Sequence, residues 1–230
     1  MIPIADNLRR IQDRMATAAD RAGRQPAEVK LVAVSKTVDL ERIRQAIAAG
    51  VTILGENYLQ EAQTKIAALG NAVSWHFIGN LQTNKAAGAV AGFDLIHSVD
   101  RLKLAQALER AAKKLDKLQE ILIEVNLAGE ASKAGVAPEE AEALLEAVIS
   151  LPHLRVRGLM TMPPWFNDPE VVRPYFQELR ALRDRLADSF PEIDLSEVSM
   201  GMSGDFEAAI EEGATLVRIG TAIFGARPEA

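Results

Sequence analysis

The sequence predicts an α/β fold of the (β/α)8 TIM barrel type, and three observations predict it. Short aliphatic runs recur along the chain, segments with apolar residues at helical spacing stand between them, and most segments close on Gly, Pro, Asn or Asp. Continuous apolar runs suit strands that are buried on both faces, as in a parallel sheet covered by helices. The alternation fills 230 residues, close to the ~250 typical of a barrel. An open doubly wound sheet is the runner-up. No linker of domain-boundary character interrupts the pattern, so residues 1–230 are expected to form a single domain.

Leu8, Ile11, Met15, Ala18 and Ala22 lie at helical spacing within residues 4–22, an extra helix ahead of the first strand, stopped by Gly23 and Pro26. Residues 30–35 are the first strand, and Asp39–Ala49 is a helix with Leu40, Ile43 and Ile47 on one face. A second strand is expected at Val51–Leu54, a helix at Tyr58–Leu69 and a third strand at Val73–Ile78. Then come a helix near 83–90, a strand at Asp94–Val99, a helix from Arg101 to about Leu115 and a fifth strand at Ile121–Asn126. The small-residue loop Leu127–Ala137 leads to Pro138-Glu139-Glu140, where a proline and acids suit a helix opening that ends at Pro152. Strand six is Leu154–Met160, followed by Pro163-Pro164 and a helix over 169–188. Ser196–Ser199, a helix at Asp205–Glu212 capped by Gly213, and Thr215–Ile219 complete eight strands with seven intervening helices.

Composition narrows the function. A net charge of −6 and a pI near 5.2 argue against nucleic acid or an anionic membrane as partner. Arg110, Lys113, Lys114 and Lys117 read as a solvated helix face. With no cysteine in the chain, disulfides, thiolate chemistry and cysteine-ligated zinc are excluded. Met1–Arg10 lacks the apolar core of a signal peptide, and no window approaches the ~18 apolar residues of a membrane span, so a cytoplasmic protein is expected. His76, His97 and His153 are too dispersed in sequence to suggest a metal site and read as structural, Tyr58 as a helix-packing residue, and Trp75 and Trp165 as core or rim.

In a barrel the strand ends converge on one mouth, where ligands bind. Lys36 is the first charge after strand one; Glu56 and Asn57, Gly79 and Asn80, Asn126 and Thr161 follow strands two, three, five and six. Gly201-Met202-Ser203-Gly204 and Gly220-Thr221 occupy the loops after strands seven and eight, where phosphate sites recur in these barrels. Asp205 and Glu207 would repel a phosphate and must point away from it. Alternation turns Arg218 inward if Val217 faces the helices. A lysine, an arginine and a phosphate site around one mouth fit a phosphorylated carbonyl compound held as an imine, since burial frees a lysine amine as a nucleophile.

Val32-Ala33-Val34-Ser35-Lys36-Thr37, Gly55-Glu56-Asn57-Tyr58, the run Trp75 to Lys85, Gly158-Leu159-Met160-Thr161-Met162, the run Ser199 to Glu207 and the run Val217 to Gly225 occur in that order. Together they closely resemble the pyridoxal phosphate homeostasis protein family, over nearly the whole chain. The resemblance implies a barrel like the N-terminal domain of alanine racemase. It also implies that pyridoxal 5'-phosphate is bound at Lys36 as a Schiff base, with Ser203, Gly204, Gly220 and Thr221 around the phosphate, Arg218 facing the pyridine nitrogen and Asn57 near the ring. Asn80 departs from the histidine of many relatives, which questions a proton role there.

Three functions compete at this point: a protein that buffers or delivers pyridoxal phosphate, with apo-enzymes as recipients; an amino-acid racemase using the cofactor; and, setting resemblance aside, a Schiff-base aldolase acting on a sugar phosphate. A carrier without efficient catalysis is expected, because an arginine at the ring nitrogen leaves the cofactor a weak electron sink and no second domain is seen to bring an opposing base. A monomer or weak dimer is expected.

Overall fold

The structure is a computed structural model that describes residues 3–130, 133–164, 166 and 168–225. Its centre is a closed barrel of eight parallel strands in sequence order: β1 (Lys30–Val34), β2 (Ile53–Glu56), β3 (Ser74–Phe77), β4 (Leu95–Val99), β5 (Gln119–Val125), β6 (Leu154–Thr161), β7 (Glu197–Ser199) and β8 (Leu216–Ile219). The barrel closes where β1 pairs with β8, Val32 opposite Arg218 and Ala33 opposite Ile219. Closure rules out the open sheet.

Seven helices connect the strands: α2 (Leu40–Ala48), α3 (Leu59–Leu69), α4 (Ala86–Gly92), α5 (Leu102–Lys114), α6 (Ala141–Ile149), α7 (Pro169–Ser189) and α8 (Phe206–Glu211). Local chemistry explains several of their starts. Asp39 accepts from the Arg42 backbone N–H at 2.9 Å, and Asp168 accepts from that of Glu170 at 2.9 Å ahead of Pro169. Among the described residues, β8 is followed by a single helical turn, α9 (Thr221–Phe224). The extra N-terminal helix, α1 (Ile4–Arg21), packs against α8, α9 and α2 and fills the remaining place in the outer ring. Its Asn7 donates to Ile223 O at 2.9 Å, and Arg14 clamps Glu207 through two hydrogen bonds of 2.7 and 2.8 Å.

The large apolar core lies between strands and helices, with Leu8, Ile43, Leu54, Phe77, Ile96, Ile121, Phe176 and Ile219 among its members. A separate small cluster, Val32, Leu95, Leu122, Met160 and Leu216, comes from the other face of the strands. Because residues two apart in a strand share a face, this inner layer continues into His97 beyond Leu95, Glu124 beyond Leu122 and Arg218 beyond Leu216. The barrel interior is therefore apolar at one level and polar above it.

Several expected boundaries move, those of the second strand with the clearest consequence. The second strand starts at Ile53 rather than Val51 and runs through Glu56, so Glu56 belongs to the sheet and not to the loop after it. The basic cluster is not one solvated face: Lys117 lies past the end of α5, and its ammonium donates to the carbonyls of Val90 and Phe93 at 2.7 Å each. Tyr58 precedes α3 with 59% of its surface exposed, so it does not pack the helix. Trp75 is core as expected, and Trp165 lies outside the described residues. No helix among the described residues is long and apolar enough to cross a membrane.

Candidate functional site

Lys36, Asn57, Ser203, Gly204, Arg218, Gly220 and Thr221 all line one cavity of about 240 Å³ at the carboxyl ends of the strands. Val34, Ile78, Met162 and Met202 complete its walls. These four apolar residues were missed because a hydrophobic side chain beside a strand end carries no chemical signal, although each stands inside one of the motifs quoted above.

Lys36 follows β1 and is half-buried. Both of its neighbours are pinned by one buried cluster centred on Lys65 of α3. The Lys65 ammonium donates to the Ser35 carbonyl at 2.6 Å, to Glu56 at 2.8 Å and to Glu61 at 2.7 Å. Ser35 Oγ donates to Glu56 at 2.6 Å, and the Thr37 backbone N–H donates to Glu61 at 2.6 Å. Thr37 has φ of 62°, left-handed backbone that a β-branched residue adopts only when its surroundings impose it. The cluster supplies that constraint, so the segment bearing Lys36 is fixed before any ligand arrives. Glu56 is thus turned away from the mouth, which corrects its expected place there; burial pushes its carboxyl above the usual range, while Lys65 and Ser35 pull it down.

Arg218 is 5% exposed on β8 and faces inward, as alternation requires. Its Nη1 donates to Ser199 Oγ at 2.6 Å and its Nη2 to the Thr161 carbonyl at 2.8 Å. Burial lowers its pKa to about 10, with Glu124 and Asp205 opposing, so it stays a cation at neutral pH. Thr161 therefore acts behind the mouth, not in it. Asp205 is turned into its own loop, accepting from the Met202 backbone N–H at 2.5 Å, and Glu207 is held outward by Arg14.

Asn57 is placed by a close backbone approach: a Cβ on Gly79 would stand 2.4 Å from the Asn57 carbonyl oxygen, so only glycine fits. Its Oδ1 is buried and has no hydrogen-bond partner among the described residues. The loops after β7 and β8 meet where the Ala222 backbone N–H lies 3.5 Å from Ser203 Oγ. A Cβ on Gly220 would crowd the Val34 carbonyl at 3.2 Å, which keeps the backbone bare there. Asn80 and Asn126 line separate cavities, Asn80 with Asn57, Tyr58 and Lys85, and Asn126 with Lys133. Far apart in sequence, His76 and His97 nevertheless meet in the barrel, but no cluster among the described residues could hold a metal ion.

The family model for the alanine racemase N-terminal domain matches residues 7–228. A pyridoxal phosphate homeostasis protein of Aquifex aeolicus is 48% identical over 223 residues, 96% of this chain and 97% of the relative. One from Pseudomonas aeruginosa is 49% identical over 229 residues, 99% of this chain and 97% of the relative. The chain belongs to the pyridoxal phosphate homeostasis protein family. Among solved structures, PipY of Synechococcus elongatus PCC7942, determined with PLP bound, superposes with a TM-score of 0.84 at 38% identity, covering 96% of this chain and all (100%) of that one. Alanine racemase of Clostridium difficile 630 shares the fold, with a TM-score of 0.74 at 17% identity; the match covers 97% of this chain and 58% of the racemase. For this member of the pyridoxal phosphate homeostasis protein family, the residues that sequence reasoning missed are mostly supports: Lys65 and Glu61 behind Lys36, and Ser199 and Glu124 around Arg218.

Proposed function

We propose that the chain binds pyridoxal 5'-phosphate in the cavity lined by Lys36 and Arg218 and serves the intracellular homeostasis of that cofactor by buffering or delivery, without efficient catalysis of its own. The observation that carries this reading is the convergence of all seven residues named from sequence on one cavity. The residues present fit the group. The buried, unpartnered Asn57 Oδ1 offers a polar contact at the ring, and the loops of Ser203 and Gly220 bring a hydroxyl and bare backbone to one side. The relatives' name and PLP-bound PipY support the same assignment.

In this reading Lys36 supplies the amine for the covalent link to the cofactor's aldehyde. Ser203, Gly204, Gly220 and Thr221 hold the phosphate, and Asn57 contacts the ring. Arg218 presents a permanent donor to the pyridine nitrogen and keeps that atom unprotonated. When bound, the cofactor supplies an electron sink, but the sink is weak unless its ring nitrogen is protonated. That is why carriage is preferred here to racemisation, and nothing in the cavity favours an aldolase. The recipients are apo-enzymes, and the protein acts as a monomer or weak dimer, which sedimentation would check.

The test is spectroscopic. Purified protein mixed with pyridoxal phosphate should develop a visible band that borohydride fixes covalently, and should then hand the cofactor to an apo-enzyme whose activity returns. Lys36→Ala should lose the reducible adduct and keep its circular dichroism, because a half-buried lysine at a strand end contributes little packing. Full retention of the adduct in Lys36→Ala would refute the assignment.

A further inference from the structure

Behind Arg218 a line of buried polar groups crosses the barrel interior. Ser199 Oγ accepts from Arg218 Nη1 at 2.6 Å and lies 2.9 Å from His97 Nδ1, and His97 Nε2 lies 3.0 Å from His76 Nδ1. Ser199, His97 and His76 are 0%, 0% and 6% exposed. His76 lines a second cavity of about 210 Å³ at the opposite end of the barrel, among Lys30, Asp94, Glu120, Arg157 and Glu197. The line thus runs from the wall of the cofactor cavity to the other mouth.

The direction of its hydrogen bonds follows from the chemistry of one end. Arginine has no acceptor, so Arg218 must donate and the Ser199 oxygen must accept. Ser199 then has one hydrogen to give, and among the described residues His97 Nδ1 is the acceptor in reach; were Nδ1 to donate instead, the buried serine hydrogen would be left unpaired. A neutral His97 that accepts at Nδ1 carries its proton on Nε2 and donates it to His76 Nδ1. His76 in turn is left with its proton on Nε2, toward the far cavity. Burial holds both imidazoles neutral, with the charge of Arg218 and the mutual repulsion of the rings adding to it at His97; His76 is lowered to about 4. The line is no proton relay, because a guanidinium that keeps its charge at neutral pH can neither take nor pass on a proton.

We propose that Ser199, His97 and His76 are positioning residues that lock the orientation and hydrogen-bond polarity of Arg218. With Nη1 committed to Ser199 and Nη2 to the Thr161 carbonyl, the guanidinium plane is fixed from behind and its remaining N–H groups are aimed at the cavity. His97 holds the serine hydroxyl in the rotamer that accepts from Arg218, and His76 fixes the tautomer of His97. This inference rests on the proposed cofactor site, but its first test does not.

In the cofactor-free wild-type protein, nitrogen-15 NMR of the imidazoles should find both His76 and His97 protonated at Nε2 and not at Nδ1. A proton on His97 Nδ1 would overturn the proposal. In cofactor-loaded protein, Ser199→Ala should shift the absorption maximum of the bound cofactor and speed its release about tenfold, the effect of one lost hydrogen bond to a charged group. Ser199→Thr, which keeps the hydroxyl, should restore both. A folded Ser199→Ala with unchanged spectrum and release would sink the proposal, and if that variant does not fold the wild-type tautomers still decide it. Absence of any chromophore in the wild type would instead refute the cofactor site, leaving the tautomer measurement to judge the lock.

Discussion

Ser203 and Thr221 reach one cavity from the loops after β7 and β8, and each offers a hydroxyl there. A hydroxyl donating to a phosphate makes a charge-assisted bond worth ~1.5–3 kcal/mol. Ser203→Ala and Thr221→Val should each weaken pyridoxal phosphate binding by that amount, read by titrating the visible band; unchanged affinity in the double variant would move the phosphate elsewhere. Glu124, 4% exposed on β5, makes a second case at this scale. Burial and then the charge of Asp100 raise its pKa from 4.5 to about 7, against the pull of Arg218. Between those values the folded chain binds more protons than the unfolded one, so stability is full below pH 4.5 and falls as pH rises through about 7. Glu124→Gln should remove that slope, gaining at most about 3 kcal/mol over wild type on the alkaline side. Urea denaturation on both sides of the window measures it, and an unchanged slope in the variant would show that Glu124 is not the group responsible.

At the scale of elements, β1, β2 and α3 are stapled by Lys65 and Glu56, whose side chains are 6% and 0% exposed. Two charges out of water are tolerated because each answers the other, and removing one strands its partner. Lys65→Met should therefore destabilise the apo-protein by about 3–5 kcal/mol in urea denaturation. Adding Glu56→Gln should recover part of the loss, since the carboxylate left unpaired at that position is then gone. The same staple was hidden in the sequence. The aliphatic run Val51–Leu54 reads as the strand, but pairing with β3 runs from Ile53 opposite Ser74 to Glu56 opposite Phe77. That register turns Gly55 toward Val32 on the inner face and Glu56 toward α3. A shift of this kind is invisible to hydrophobic pattern alone, because a charged residue at a strand end is ordinarily read as the start of the loop.

For the whole molecule, a ligand that binds only the folded state stabilises it by mass action. At a hundredfold excess over its Kd, pyridoxal phosphate should add about 2.7 kcal/mol, raising the Tm of a chain of this size by roughly 5–11 °C. Lys36→Ala, limited to non-covalent contacts, should show a smaller rise. Equal shifts in both proteins would mean that the lysine adds nothing to affinity. Calorimetric scans with and without the cofactor make the comparison.

The sequence by itself determined an alternation of eight apolar runs with helices, whose length favoured a barrel over an open sheet, and the resemblance of its motifs singled out, from the larger set of residues at the strand ends, the seven that line the cavity. Only the tertiary structure decided which polar groups near those ends face the cavity. Glu56, Thr161 and Asp205 all stand at strand ends or in the loops after them, yet one pairs with Lys65, one offers its carbonyl to Arg218 and one closes its own loop. It also decided that His76 and His97, distant in sequence, are neighbours. Lateral contacts between strands depend on register and on which face a residue takes, and neither is written in the local spacing of the chain.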